Sequence, residues 1–174
     1  MTDSILLAAF ATWAPKLHNQ CATLLEEILQ LLPHLERNFA NSVFACATAN
    51  FGPHTATFRH FDSQNLAYGW CAITALGSYD YTKGGHLILW ESQLVLEFPP
   101  GCTILIPSAS ISHSNIGILE EEKRYSFTQY TAGALFRWVD RIKYSSASEQ
   151  EDENVEKYVR NGLSLFSTHV ELQN

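Results

Sequence analysis

The stretch HLILWESQLVLEFPPGCTILIPSASISH, residues 86–113, sets the class of the fold. Its apolar residues come in short runs, His86–Trp90, Leu94–Phe98, Thr103–Pro107 and Ile111–His113, and Pro99-Pro100-Gly101 supplies turn chemistry between two of them. Runs of this length bounded by Gly and Pro read as strands, and the prolines exclude a continuous helix. The same texture continues in both directions. Upstream lie Val43–Phe51, Thr55–His60 and Trp70–Leu76, with breaks at Gly52-Pro53 and Gly84-Gly85, and downstream lies Arg124–Thr131. Eight strands over about 90 residues predict a double-sheet jelly roll.

Outside that series the period changes. From Pro15 to Leu32 the apolar residues Leu17, Cys21, Leu24, Ile28 and Leu31 recur at steps of four and three, with Pro15 suited to a first turn and Pro33 to a stop, which predicts an amphipathic helix. Residues 134–143, ALFRWVDRIK, predict a short second helix. The run SSASEQEDENVEK that follows is polar and acidic enough to be a mobile linker or exposed surface, and VRNGLSLFSTHVELQN is assigned to no element. The expected class is α+β, mainly β: a double-stranded β-helix (cupin-like jelly roll) with an N-terminal amphipathic helix and a C-terminal helical segment. Residues 1–144 are expected to make one domain, with a helical lead-in at 1–40, the jelly roll at 41–132 and an acidic tail at 145–174.

Composition narrows the function classes. The chain of 174 residues is 46% hydrophobic, enough for one sizeable core. Its four cysteines, Cys21, Cys46, Cys71 and Cys102, include no CxxC pair and read as reduced thiols. The start, MTDSILLAAFATW, carries Asp3 where a signal peptide has positive charge, and no run approaches a membrane span, so an intracellular protein without membrane contact is expected. Eleven Lys and Arg against eighteen Asp and Glu give −7, which opposes a general affinity for nucleic acid. The excess is uneven. Residues 1–144 hold nine basic and twelve acidic residues, and Lys123, Arg124, Arg137, Arg141 and Lys143 form a local basic group.

The strand pattern also arranges a metal site. In a strand His60 and Asp62 point the same way and Phe61 points the other. Two histidines and one carboxylate on one face of an octahedral iron leave positions for a cosubstrate and oxygen. His113 lies 51 positions beyond Asp62, late in the strand series, where a jelly roll can return it beside the first pair. Eleven residues further comes Arg124, with Ser126 on the same strand face, and a guanidinium fork beside a hydroxyl suits a dicarboxylate tail. His86, at a strand start after Gly84-Gly85, is a further candidate for that cosubstrate. The other histidines, His18, His34, His54 and His169, read as structural or exposed, and Trp70, Trp90, Phe127 and Tyr130 as core.

These residues carry a resemblance. HxD, a histidine some 50 residues on and RxS about 10 after that are set within WAPKLH, LERNFANSVFACATANFGP, HFDSQNLAYGWCAITALG, KGGHLILWE, LEFPPGCTILIPSA, HSN and RYSFTQYTAGALFRWVD. In these stretches, from about Trp13 to Tyr144, the chain resembles the TET/JBP-like 2-oxoglutarate oxygenases, in particular the short versions found near transposons in basidiomycete fungi. The resemblance implies Fe(II) at His60, Asp62 and His113, the far carboxylate of 2-oxoglutarate on Arg124, and oxidation by O2 of methyl groups on nucleobases. For 5-methylcytosine in DNA the first product is 5-hydroxymethylcytosine. The base must be flipped out of the duplex to reach the metal. Asn65 matches a residue that contacts the target base, and nuclear residence follows from such a substrate. Two positions depart from the pattern: Phe61 and His54 stand where relatives carry Arg, which lowers positive charge along a phosphate path. The same chemistry on RNA, a free nucleobase or nucleoside, or another small molecule is the alternative, and a non-catalytic binding module derived from a transposon is the second. The sequence assigns no oligomeric state.

Overall fold

The strands form where alternate residues can be shared between a core and the opposite face of a sheet. The computed structural model describes residues 2–144 and 151–173, with side chains at 6–143 and 156–173. The chain divides into two compact units, residues 46–131 and the segments on either side of them.

The central unit contains seven antiparallel strands among the described residues. These are β1 (Cys46–Asn50), β2 (Cys71–Ser78), β3 (Leu87–Leu89), β4 (Leu94–Leu96), β5 (Thr103–Ile106), β6 (His113–Asn115) and β7 (Lys123–Tyr130). They form a larger sheet in the order β1-β7-β2-β5 and a smaller one in the order β4-β3-β6. The expected strand Thr55–His60 is reduced to one isolated bridge, His60 to His113 of β6, and His54 just before it bridges Arg124 of β7. It still occupies the place of an eighth strand. Counted as the second of eight, it makes the larger sheet 1-8-3-6 and the smaller 2-7-4-5, the order of a jelly roll.

The reason for the reduction is a one-residue bulge. His60 and His113 exchange both backbone hydrogen bonds, at 3.1 and 3.0 Å, but the next amide on β6, that of Asn115, donates to Thr57 at 3.2 Å instead of to Phe58. Phe58 drops out of the ladder, and its side chain is 97% exposed.

Register defines the interior. On β2, Cys71, Ile73 and Ala75 face the core, and on β3 Leu87 and Leu89 do, so residues of both sheets meet in one cluster with Ile106 and Phe98. Across β7, Ala75 pairs with Ser126 and Gly77 with Arg124, which puts Ser126 and Arg124 on that inner face. Across β6, Leu89 pairs with His113 and Leu87 with Asn115, which puts both on the inner face of the smaller sheet.

The flanking unit is helical: α1 (Thr2–Trp13), α2 (Pro15–Leu31), α3 (Gly133–Tyr144) and α4 (Glu151–Ser164). The expected stripe of α2 is buried at Leu17, Cys21, Leu24 and Ile28, and the Leu32 amide closes its end on the Ile28 carbonyl. Phe10 of α1 stacks on Phe44 with ring centroids 5.3 Å apart and meets His18 edge-on at 5.4 Å. Lys143 of α3 bonds Glu27 of α2 at 2.5 Å. α1 falls within the expected helical lead-in, although its apolar residues keep to no single stripe. One expectation changes here. The polar run read as a mobile linker or exposed surface is helical from Glu151, and its residues 145–150 lie outside the described residues. No helix among the described residues is long and apolar enough to cross a membrane.

Candidate metal centre

His60, Asp62 and His113 converge, with one ligand atom of each lying within 4.8 Å of the others. Nε2 of His60 is 3.6 Å from Asp62 Oδ1, and Nε2 of His113 is 4.0 Å from Asp62 Oδ2. Two atoms that share a metal at about 2.1 Å each are at most about 4.2 Å apart, and each of these separations, to a different Asp62 oxygen, lies under that limit. The bridge between His60 and His113 brings their rings to 4.4 Å.

The imidazoles are aimed by their other nitrogens. Nδ1 of His60 faces the Phe58 carbonyl at 2.8 Å, and Nδ1 of His113 faces the Ile111 carbonyl at 3.1 Å. A proton on each Nδ1, donated to that carbonyl, leaves the Nε2 lone pair for the metal. The bulge makes the first of these bonds available, because in a regular ladder the Phe58 carbonyl would receive the Asn115 amide. Burial lowers the pKa of His113, which keeps its imidazole in the neutral form that binds metal.

Asp62 is held from its own chain and from the loop after β5. Its amide donates to the Ser108 carbonyl at 3.0 Å, and the Asn65 amide donates to the Asp62 carbonyl at 2.9 Å. Nδ2 of Asn65 donates to Asp62 Oδ2 at 3.3 Å and to Ser108 Oγ at 3.1 Å. Asn65 therefore spends its side-chain donor on the carboxylate and its support. Cys71 lies close enough that burial first, and the Asp62 charge second, push its thiol up to about 12, against a hydrogen bond with Ser108. This end of β2 is the metal end.

Its other end meets Arg124. Gly77 pairs with Arg124 and has φ of 116°, and a Cβ there would stand 2.1 Å from the Lys123 carbonyl oxygen, so only glycine lets the strands close. On the far side the Arg124 amide donates to Pro53 at 2.6 Å. The Arg124 side chain is 0% exposed. Nη1 donates to the Thr55 carbonyl at 2.8 Å, whereas Nε and Nη2 are buried without a hydrogen-bond partner. Tyr79 lies against the guanidinium, and its hydroxyl donates to the Phe98 carbonyl. Burial raises the Tyr79 phenol and the Arg124 charge opposes that rise. Among the described residues no carboxylate lies within ion-pair distance of Arg124. A buried cation with two idle donors is costly unless an anion meets it. The donor set fits a carboxylate.

Ser126 lies on the same inner face and accepts from Asn50 Nδ2 at 2.9 Å. His86 is not brought to that face. Leu87 and Leu89 take the core side of β3, so alternation sends His86 and Ile88 to the other side, and its Nδ1 is buried without a partner there. Of the basic group, Arg124 is internal and Lys143 is paired with Glu27. Trp90 is 41% exposed and lies outside the core. Its ring stacks under the Arg59 guanidinium at 5.0 Å, and Nε1 donates to Ser114 at 3.1 Å.

That tryptophan marks a brace which the sequence reading missed. Glu91 accepts from the Ser112 amide and hydroxyl, each at 2.7 Å, and from Arg59 Nη2 at 3.2 Å, while Arg59 Nε donates to Ser112 Oγ at 2.8 Å. Arg59 and Ser112 each directly precede a metal-site histidine, so the brace joins the two histidine strands from the face opposite the metal. The available signal was their position one residue before each ligand.

No protein-family profile and no curated protein matches the chain. Among solved structures it is similar to NgTET1 in complex with 5mC DNA, at 13% identity and a TM-score of 0.45, over 65% of this chain and 47% of that one, so the likeness spans about half the length of that protein. It is also similar to the viral collagen prolyl hydroxylase of Paramecium Bursaria Chlorella virus-1 in its 2OG complex (14% identity, TM-score 0.37, 66% and 71% covered). A third is an RmlC-like cupin protein from Desulfovibrio desulfuricans (13%, 0.32, 55% and 95%). The fold assignment rests on the strand order.

Proposed function

We propose that the protein is an Fe(II)- and 2-oxoglutarate-dependent dioxygenase that oxidises methyl groups on nucleobases, 5-methylcytosine in DNA first among them. The observation that carries the oxygenase part is the buried Arg124, whose Nε and Nη2 lack a partner on an inner face that borders the same core as the His60, Asp62 and His113 cluster. His60, Asp62 and His113 would hold the metal, and Arg124 with Ser126 the distal carboxylate. With iron bound, one oxygen atom of O2 leaves in succinate as 2-oxoglutarate loses carbon dioxide, and the other becomes the hydroxyl of the product.

The chain's own contribution is orientation. Phe58 and Ile111 aim the imidazoles, and Asn65 holds the carboxylate. With Asn65 so engaged, its family-based role in reading the base gives way to a positioning role, and recognition shifts to exposed aromatic rings. Phe51 is 87%, Phe58 97% and Phe61 48% exposed, and Phe58 and Phe61 flank His60. Such rings stack on any base without reading its sequence. The acidic charge and the internal position of Arg124 favour a second reading, the same chemistry on a free nucleobase, nucleoside or other small molecule.

The test is incubation with Fe(II), 2-oxoglutarate and methylated oligonucleotides, followed by mass spectrometry of the bases, with His113→Ala as control. Hydroxymethylated base in the wild type alone is expected. Succinate without base oxidation points to the second reading, and a steep loss of oligonucleotide binding with salt separates duplex contact from small-molecule binding. No succinate in any mixture would defeat the oxygenase assignment.

A further inference from the structure

We propose that Asn115 is a further ligand-binding residue on the inner face shared with His113 and Arg124, donating from Nδ2 to an oxygen of an elongated anion held between the metal centre and Arg124. The inference rests on the reading above and adds a residue that neither the metal motif nor the arginine clamp includes.

The position follows from register. Asn115 is two residues beyond His113 on β6 and pairs with Leu87, whose side chain lies in the shared core, so Asn115 faces the interior as His113 does. Two strand residues advance about 6.8 Å. The advance runs toward Arg124. A Cβ on Gly85, two residues before Leu87, would lie 2.5 Å from the Tyr79 ring, and Tyr79 lies against Arg124. On the larger sheet β2 runs the same course, from Cys71 near Asp62 to Gly77 opposite Arg124. Asn115 thus stands between the metal end and the arginine end of one interior.

Its hydrogen bonding points to a missing acceptor. Oδ1 accepts from Thr57 Oγ1 at 3.2 Å, which fixes the amide, while Nδ2 is buried with no partner. Arg124 Nε and Nη2 share that condition. All three atoms are donors. Three idle N–H groups along one interior match a ligand whose oxygens are acceptors, as in a dicarboxylate, and match neither a cation nor an apolar molecule.

The experiment is calorimetric titration of 2-oxoglutarate, without oxygen, into the full chain loaded with Mn(II), comparing wild type with Asn115→Ala, Asn115→Asp and Arg124→Met. Mn(II) affinity and thermal unfolding of each variant check that the triad and fold are intact. Loss of a hydrogen bond to a charged oxygen predicts about tenfold or more weakening for Asn115→Ala. Asn115→Asp keeps the shape and the Thr57 bond but sets a carboxylate against the anion, and weakens binding further. Should Asn115→Ala fold poorly, the isosteric Asn115→Asp decides alone. Wild-type affinity in Asn115→Asp, with binding lost in Arg124→Met, overturns the role of Asn115 and leaves the oxygenase reading standing. No binding of 2-oxoglutarate to the metal-loaded wild type overturns both.

Discussion

Truncating Asn65 to alanine is expected to weaken metal binding before it affects any substrate. Nδ2 of Asn65 reaches Asp62 Oδ2 at 3.3 Å and Ser108 Oγ at 3.1 Å. The first is a bond to a charged acceptor at the long end of the useful range, so the lower value for such bonds applies, about 1.5 kcal/mol. That corresponds to roughly tenfold in affinity, within the span seen when a partner of a metal ligand is removed. The assay is competition for Zn(II) or Mn(II) against a chromophoric chelator, with Asn65→Ala beside wild type and His113→Ala. A residue that reads the base predicts the opposite pattern, with metal affinity unchanged and KM raised for a methylated oligonucleotide alone. Metal affinity within about twofold of wild type would refute the positioning role.

Three other outcomes follow from the same geometry. Arg124→Met removes a buried cation with two unpartnered donors, so the ligand-free protein should melt at or above the wild-type temperature while losing the upward shift that 2-oxoglutarate gives the wild type; a lower ligand-free Tm would show that the Thr55 bond outweighs the burial. Phe58→Ala should leave stability within about 0.5 kcal/mol because the ring is exposed, yet weaken oligonucleotide binding by about 1–3 kcal/mol if the ring stacks on a base; equal binding by fluorescence anisotropy would remove it from the interface. Burial lowers His18 from 6.5, so the unfolded chain takes up its proton first, and stability should fall as pH drops below 6.5; urea midpoints above and below that value should differ less in His18→Leu.

The candidate site was legible where its logic is local. A spacing of two puts His60 with Asp62, and Arg124 with Ser126, on one face of an extended segment whatever lies around them. The same rule, applied to β3, excludes His86 once the core face is known, and the sequence could not say which face that was. Asn65 was assigned a substrate role from likeness, and only the placement of Ser108, 43 residues away, shows its donor turned to the carboxylate. Arg124 shows the reverse difficulty. Counted along the chain it belonged to a local basic group, whereas in the fold Gly77, Pro53 and Thr55 adjoin it and it is buried.

What the amino-acid sequence determined by itself was the series of short strands, the helix at Pro15–Leu31 and the residue pairs of period two, because each depends on neighbours a few positions apart. Tertiary structure alone decided that Phe58 bulges to free its carbonyl for His60, that Glu91 braces Arg59 and Ser112 behind the two histidines, and that Asn115 and Arg124 present unused donors inside the barrel. Those features are contacts between strands remote in sequence. Their register is set by the packing of the two sheets on one core, which no local period encodes.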